Sequence, residues 1–354
     1  MHPIEQSTSS KQLASPNLIA VFGAGAFGQA LASAALQSGN DVLMFAPRQV
    51  DFASAKKNAH LNIENPNCRF VSMAEEADSL SPKSHAAPSL IVMAVPCQAL
   101  RQAAGWLARE WRYSLPPEVV VASKGVEQST LLLPHQVLES VLPACSKVGV
   151  ISGPSFASEL VKGSPTSVVC ASSDEQFVRK CSRILHRPNF RIYGSRDIVG
   201  VEVGGALKNV VAMVAGAVDG LGLGNNARAA VITRGLGEIT QVGVALGADP
   251  MTFLGLSGLG DLVLTCTGDL SRNRSFGMQL AKGLKPQEIM QALGEVVEGY
   301  TTAQSAFELS QKLGLDTPII DVVHKVLYED LPVREALVTL MQREQKEEFE
   351  WAKN

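Results

Sequence analysis

Leu18-Ile-Ala-Val-Phe-Gly-Ala-Gly-Ala-Phe-Gly28 is the stretch that decides the fold of this chain. The apolar run 18–22 predicts a buried strand of a parallel sheet, and small and apolar residues at helical spacing follow the glycines. Gly23 permits a tight turn, Gly25 lets the backbone approach a pyrophosphate, and Gly28 lets the helix pack closely on the strand. Free N–H groups at the helix start attract an anion. We therefore predict a dinucleotide-binding segment rather than a glycine-rich turn without a ligand.

The composition is that of an ordinary enzyme, and 354 residues are enough for two domains. A net charge of −3 gives no indication of nucleic-acid binding. Six cysteines without a C-x-x-C pair are typical of reduced thiols rather than of disulfides or a metal site. The longest apolar stretch, 210–223, is too short to span a bilayer, so we expect a buried helix and no membrane insertion. The polar residues 1–16 lack the apolar centre of a signal peptide, which predicts a disordered leader and a cytoplasmic protein.

Apolar strand patterns alternate with helical patterns up to about residue 197. The predicted strands are 18–22, 41–46, 69–72, 90–95, 119–122, 148–151 and 166–170. This alternation predicts right-handed βαβ units and a Rossmann-like, doubly wound parallel sheet in a dinucleotide-binding domain over 17–197. No strand pattern follows, and helices are predicted at 200–220, 226–246, 274–282, 285–293, 302–313 and 318–328. Residues 198–354 are therefore expected to form an all-helical, substrate-binding domain.

Lys208 lies in a helical pattern whose neighbours are almost all apolar or small. Lysine is rarely buried unless it is paired or functional. Burial lowers the pKa of an ammonium group, so Lys208 is a candidate proton donor and acceptor near neutral pH. The alternative is a lysine that extends its charged end to solvent. Asp261 is a plausible charge partner, although a helix N-cap is equally consistent with its surroundings.

Polar residues after the predicted strands mark the ligand edge of a doubly wound sheet. Lys124 directly follows an apolar strand and is a candidate anion or carbonyl contact, with a solvated lysine as the alternative. The segment Ser271-Arg-Asn-Arg274 combines an arginine fork, an amide and a helix start, which suits a phosphate. A solvated basic helix start is the alternative there. Arg228 and Arg234 are further cations without an evident partner.

These segments together closely resemble the NAD(P)-dependent glycerol-3-phosphate dehydrogenase family of the bacterial type, in order from about residue 18 to 340. The motifs that carry the resemblance include Gly23-x-Gly25-x-x-Gly28, Ser123-Lys-Gly125, Gly153-Pro-Ser-Phe-Ala157, Gly205-Ala-Leu-Lys208, Gly258-Leu-Gly-Asp261 and Ser271-Arg-Asn-Arg274. The resemblance implies reversible reduction of dihydroxyacetone phosphate to sn-glycerol 3-phosphate by NAD(P)H, which supplies glycerophospholipid synthesis.

The resemblance also implies a role for individual residues, with Lys208 as the proton donor and acceptor and Lys124 and Asp261 beside it. The implied substrate contacts are Lys124, Gly153, Ser155, Lys208, Asp261, Ser271, Arg272 and Asn273. The implied cofactor contacts are Gly23, Gly25, Ala26, Phe27, Gly28, Arg48, Lys124, Ala157, Arg272, Val296 and Glu298.

The cofactor preference follows from the end of the second predicted strand, Phe45-Ala-Pro-Arg48. A carboxylate that would bind the ribose diol of NADH is missing there, and Arg48 can meet a 2′-phosphate, so NADPH is favoured. Arg48 stacked on the adenine is compatible with either cofactor. Pro47 departs from the family pattern, which leaves the geometry of the adenosine loop open.

Two alternatives to this function are considered. One is a related two-domain dehydrogenase of the 3-hydroxyacid or 6-phosphogluconate type, against which Asp261 and the segment 271–274 speak. The other is a non-catalytic NADP(H) sensor, which has no need of a buried proton donor. The apolar helical half favours a homodimer.

Overall fold

The structure is a computed structural model that describes residues 16–47, 65–74, 80–293 and 297–342. Residues 1–15 of the predicted leader lie outside the described residues. Arg48 and Val296 lie outside them as well.

Eight strands form one sheet in the order β3-β2-β1-β4-β5-β6-β7-β8. They are β1 (Leu18–Phe22), β2 (Asp41–Ala46), β3 (Cys68–Ser72), β4 (Leu90–Met93), β5 (Glu118–Val121), β6 (Lys147–Ser152), β7 (Thr166–Ala171) and β8 (Phe190–Ser195). The chain order reverses between β1 and β4, and the carboxyl ends of β1, β2, β4, β5 and β6 lie at one edge because these strands are parallel. This reversal is where doubly wound sheets bind ligands. The predicted Rossmann-like sheet is confirmed.

The predicted parallel direction is wrong for β7, which pairs antiparallel to β6. Only one short helix, Ala157–Lys162, lies between the two strands. Six helical residues span about 9 Å, which is too short to carry the chain back along a six-residue strand of about 20 Å. The chain therefore enters β7 at the edge where it left β6, and β8 then pairs parallel to β7. Strand β8 itself was not predicted, because exposed and half-buried residues interrupt its apolar pattern.

Helices cover both faces of the sheet. They are α1 (Ala26–Gln37), α2 (Leu100–Glu110), α3 (Pro134–Val141), α4 (Ala157–Lys162) and α5 (Glu175–Leu185). Two buried apolar clusters, one on each side of the strands, form the core of this half.

Past residue 197 the described residues form helices and no strand, as predicted. They are α6 (Ile198–Gly220), α7 (Gly224–Ala245), α8 (Asp261–Thr267), α9 (Arg272–Ala281), α10 (Pro286–Leu293), α11 (Glu298–Lys312), α12 (Pro318–Tyr328) and α13 (Val333–Met341), with a short 3₁₀ helix at Pro250–Leu254 and a π-helical turn at Leu256–Gly260. Helices α8 and α13, of seven and nine residues, were not predicted. The division into domains at residue 197 stays a prediction; β8 ends at Ser195 and α6 begins at Ile198.

Helix α6 is the centre of the helical half. Among the described helices it is the one long and apolar enough to cross a membrane by length and composition, but 89% of its most apolar window is buried inside the protein. Burial of this kind is typical of the core helix of a soluble protein. Its glycines lie on several faces and let neighbouring segments approach, so that residues from both halves of the chain meet around it.

Candidate active site

The glycine loop between β1 and α1 has the geometry that a dinucleotide requires. Gly23 has φ +109°, a conformation that favours glycine, and its N–H donates to the Phe45 carbonyl at 2.9 Å. A Cβ on Gly23 would lie 2.7 Å from the carbonyl carbon of Ala94, and a Cβ on Gly28 would overlap the Gly23 carbonyl. Both positions therefore need glycine for packing within the protein.

Gly25 has a different reason to be glycine. It is exposed at the N-cap of α1, forms no side-chain cap, and a Cβ there would meet no atom within 4 Å. The start of α1, with Ala26 and Phe27 in its first turn, therefore faces open space with its helix dipole positive. This cradle fits the pyrophosphate of a dinucleotide.

Gly25→Ala is expected to raise the KM for NADPH about tenfold or more, since the added methyl group occupies ligand space alone, and to lower the melting temperature only slightly, because alanine is a weaker N-cap than glycine. Steady-state kinetics and thermal melts check both parts. Gly28→Ala is the matched control, because its Cβ meets protein backbone and should lower stability. A Gly25→Ala variant with unchanged KM would place the pyrophosphate elsewhere.

Three charged side chains from distant parts of the chain meet at the carboxyl edge of the sheet. Asp261 is 1% exposed and accepts a hydrogen bond from Lys124 Nζ at 2.7 Å on one carboxylate oxygen. Its other oxygen accepts from Lys208 Nζ. The structure thus brings together the three residues that were assigned to catalysis, and Asp261 bridges the two lysines. Asp261 is not the N-cap of α8, because Gly260 occupies that position.

Lys208 is 7% exposed, and its ammonium titrates far from its usual range. Burial lowers the pKa of Lys208 to about 7, the Asp261 carboxylate opposes this shift, and the positive charge of Lys124 adds to it. A group with this pKa can both donate and accept a proton near neutral pH. The alternative of a solvent-extended Lys208 is excluded by its burial.

Close backbone approaches hold the two lysines and the aspartate together. A Cβ on Gly205, one turn before Lys208, would lie 2.5 Å from Ser152 Oγ at the end of β6 and 3.7 Å from Lys124 Cδ. A Cβ on Gly204 would lie 2.6 Å from the Ser257 carbonyl in the turn that precedes Asp261. Helix α6 can therefore lie directly against both segments.

Lys124 also connects this group to the cofactor loop and to the substrate segment after β6. Its Nζ lies 6.0 Å from the ring centroid of Phe27 and 3.4 Å from the carbonyl oxygen of Gly153. Ser155 Oγ donates to that same Gly153 oxygen at 2.9 Å, and Ala157 begins α4, which packs on α1. Of the assigned residues of this segment, Gly153 contacts the lysine, and Ser155 shares the same carbonyl oxygen.

The segment assigned to the substrate phosphate starts helix α9. Ser271 is its N-cap and accepts a hydrogen bond from the Arg274 N–H at 3.2 Å. Asn273 Nδ2 donates to Asn209 Oδ1 at 2.9 Å, and its own oxygen accepts from the Gly299 N–H at 3.1 Å. The start of α9 is therefore bonded to the residue that directly follows Lys208 on α6.

Two arginines differ from the sequence-based expectation. Arg274 belongs to the segment that suits a phosphate, but its Nε donates to Asp219 at 2.8 Å and its Nη1 to Asp269 at 3.0 Å. Arg228, which had no evident partner in the sequence, donates to Asp219 at 2.9 Å. Arg272 is exposed at the start of α9 and keeps its assignment as a prediction.

Glu298 begins α11 where the helical half meets the loop after β4. Burial raises the pKa of Glu298 to about 7, while the charge of Arg272 and a hydrogen bond from the Cys97 N–H oppose the shift. Further along α11, Ser305 Oγ donates to the Val126 carbonyl at 3.1 Å. Sequence analysis assigned no role to Asn209 or Cys97. Asn209 directly follows Lys208, and Cys97 directly follows the proline after β4; these positions were the available signals.

The site combines a glycine cradle for a pyrophosphate with a buried lysine–aspartate pair, and Lys124 lies between the two. This combination defines a nicotinamide-dependent oxidoreductase.

Comparison with known proteins gives the particular family. The model of the NAD-dependent glycerol-3-phosphate dehydrogenase N-terminus matches residues 18–178, and that of the C-terminus matches residues 197–338. A glycerol-3-phosphate dehydrogenase (NAD(P)+) of Geobacter metallireducens is 44% identical over 334 residues, 93% of this chain and 98% of the relative. One from Thiobacillus denitrificans is 45% identical over 335 residues, 94% and 99% of the two chains.

A crystal structure of glycerol-3-phosphate dehydrogenase from Coxiella burnetii has a TM-score of 0.84 and 33% identity, covering 93% of this chain and 100% of the other. This chain belongs to the NAD-dependent glycerol-3-phosphate dehydrogenase family, and it is an NAD(P)-dependent oxidoreductase.

Proposed function

We propose that the enzyme catalyses the reversible reduction of dihydroxyacetone phosphate to sn-glycerol 3-phosphate with NADPH or NADH. The observation that carries the proposal is the buried Lys208–Asp261 pair on a helix whose next residue, Asn209, is bonded to the start of α9; the pair supplies a proton donor and the helix start an anion site. The dehydrogenase relatives support it at 44% and 45% identity. Family membership favours this reaction over a 3-hydroxyacid or 6-phosphogluconate dehydrogenase.

The chain contributes proton transfer and orientation. A bound nicotinamide cofactor supplies the hydride for the carbonyl carbon. Lys208 donates a proton to the carbonyl oxygen as negative charge develops on it, and the neutral amine takes the proton back in the oxidation direction. Asp261 holds the ammonium in place, and Lys124 adds positive charge beside the developing oxyanion.

The substrate phosphate is assigned to Ser271, Arg272 and Asn273 at the start of α9, where the helix dipole favours an anion. Gly153 and Ser155 contact the rest of the substrate from the end of β6. Binding of the phosphate then orients the carbonyl toward Lys208. The phosphate thus contributes to the rate although it lies away from the reacting carbon.

NADPH is proposed as the preferred cofactor, from the missing carboxylate after β2 and from Arg48. Initial rates with dihydroxyacetone phosphate and either NADPH or NADH test both the reaction and the preference. We expect a lower KM for NADPH in the wild type. Arg48→Ala is expected to raise the KM for NADPH about tenfold and to leave the KM for NADH nearly unchanged, as for loss of one charge-assisted contact.

Two outcomes would contradict this. An unchanged NADPH preference in Arg48→Ala would remove the role of Arg48. Absence of turnover with either cofactor in the wild type would refute the reaction.

A cytoplasmic location and a supply of glycerol 3-phosphate to phospholipid synthesis are part of the proposal. A homodimer is proposed as well, since exposed apolar side chains lie on contacting elements of the helical half: Val244, Met251, Leu254, Leu259 and Val263. No nucleic-acid partner is proposed.

A further inference from the structure

A cluster of charged side chains joins the far end of α6 to its neighbours. Asp219, near the last residue of α6, accepts from Arg274 Nε of α9 at 2.8 Å and from Arg228 Nη1 of α7 at 2.9 Å. Arg228 Nη2 also donates to Asn225 Oδ1 at 2.8 Å. Each carboxylate oxygen of Asp219 thus has its own guanidinium, and one residue ties three helices together.

This cluster differs from an ordinary surface ion pair. The side chains of Asp219 and Arg274 are 12% and 13% exposed, so solvent screens their attraction little. Arg274 directs two different nitrogens at two carboxylates, and a guanidinium bonded in this way has a defined orientation. Exposed pairs lack both properties and contribute little.

Helices α6 and α9, which the Asp219–Arg274 bond joins, are in backbone contact. A Cβ on Gly216 of α6 would overlap the carbonyl oxygen of Arg274, and a Cβ on Gly277 of α9 would lie 2.8 Å from the carbonyl carbon of Met213. Contact at both glycines fixes the separation of the helices. Buried apolar side chains of α9, Phe276 and Leu280, lie in the same cluster as Met213 of α6, and such contacts have no preferred direction that would stop a small sliding or turning of α9 along α6.

The Asp219–Arg274 bond prevents that movement at the place where it matters for the substrate. Arg274 lies one residue after Asn273 and its N–H is bound by the Ser271 cap. Asn273 in turn bonds Asn209, the neighbour of Lys208. A shift of Arg274 therefore moves the start of α9 relative to the catalytic ammonium.

We propose that Asp219 is a positioning residue that acts through Arg274 to set the affinity of the enzyme for the phosphate group of its substrate. The proposal rests on the assignment of that phosphate to Ser271, Arg272 and Asn273. Asp219 touches neither substrate nor cofactor; it holds the orientation of α9 in which the phosphate contacts and Lys208 can engage one molecule.

Asp219→Asn is the test, since the amide keeps the size of the side chain and removes its charge. The kcat/KM for dihydroxyacetone phosphate is expected to fall about 10- to 100-fold, as for a misplaced orienting contact. The KM for NADPH and the kcat/KM for unphosphorylated dihydroxyacetone should stay at wild-type values. A merely structural role would not separate the two substrates in this way.

Arg274→Lys is a second, milder variant in case Asp219→Asn fails to fold; it keeps the charge, loses the fork and should show the same selective loss. Glu118→Gln is the control, because Glu118 also accepts from two lysines but lies at the opposite edge of the sheet. It should leave both substrate constants unchanged.

Equal losses for dihydroxyacetone phosphate and dihydroxyacetone in both cluster variants, or no loss in either, would overturn the proposal. A wild-type enzyme without activity on dihydroxyacetone phosphate would instead refute the proposed reaction.

Discussion

Lys208→Met is expected to lower kcat for dihydroxyacetone phosphate reduction by about 10²–10⁴-fold, the usual contribution of a general acid. Methionine has a similar length and suits a position that is 7% exposed, so the change removes the ammonium without opening a cavity. NADPH binding should persist, because the glycine loop lies on another part of the chain. Stopped-flow turnover and fluorescence titration of NADPH measure the two effects separately.

The charge of Asp261 stays compensated in this variant through its 2.7 Å bond to Lys124. Wild-type Lys208 has a pKa of about 7 when folded against a usual value of 10.5, so between these pH values the unfolded chain binds a proton that the folded protein lacks. Wild-type stability therefore rises with pH through that window, and Lys208→Met should lose this slope. At pH 7 the variant should be at least as stable as the wild type.

The pH dependence of wild-type turnover should follow the protonation state of Lys208. Reduction needs the protonated amine, so its kcat should fall as the pH rises above about 7, whereas oxidation of glycerol 3-phosphate needs the neutral amine and should become faster. Lys208→Arg is the control, since its guanidinium stays charged and cannot take part in proton exchange. Turnover that survives in Lys208→Met would refute the assignment of Lys208 as the proton donor.

Gly216→Ala is expected to destabilise the protein by about 3 kcal/mol or more, at the upper end of overpacking effects. The new Cβ would overlap the Arg274 carbonyl oxygen and lie 3.0 Å from the Arg274 Cα. Both are backbone atoms of α9, so the clash can be relieved only if the whole helix moves. Any folded fraction should bind dihydroxyacetone phosphate weakly, because α9 carries its phosphate contacts.

Urea unfolding followed by circular dichroism measures this loss. Gly105→Ala is the matched control: it also lies within a helix, but its Cβ would meet one flexible atom, Arg109 Nη1, at 3.6 Å. That control should gain up to about 1 kcal/mol from helix propensity. Comparable stabilities for the two variants would show that α6 and α9 tolerate separation.

Local sequence patterns were sufficient to predict a feature where one short segment contains the residues that cause it. The strand before Gly23 and the helix after it are consecutive in sequence, and the turn between them needs glycine whatever surrounds it. Lys208 could be singled out because its apolar neighbours on the same helix already imply burial. The six long helices of the second half have enough turns to show their periodicity.

Features set by contacts between distant segments could not be predicted. The antiparallel direction of β7 depends on how far a six-residue helix carries the chain, and β8 is recognisable only once β7 is beside it. Arg274 stands in a basic segment that suits a phosphate, yet Asp219, 55 residues earlier, takes its Nε. Sequence spacing contains no information on which of two possible anions lies nearer.

The sequence by itself therefore determined a dinucleotide-binding sheet and a helical second half, and it predicted the residues of the proposed catalytic group. Only the tertiary structure decided how that group is assembled: Asp261 bridges Lys124 and Lys208 because glycines on α6 let three backbones approach. The physical reason is that hydrophobic periodicity reports which face of an element is buried, whereas side-chain pairing and pKa depend on what is buried against it.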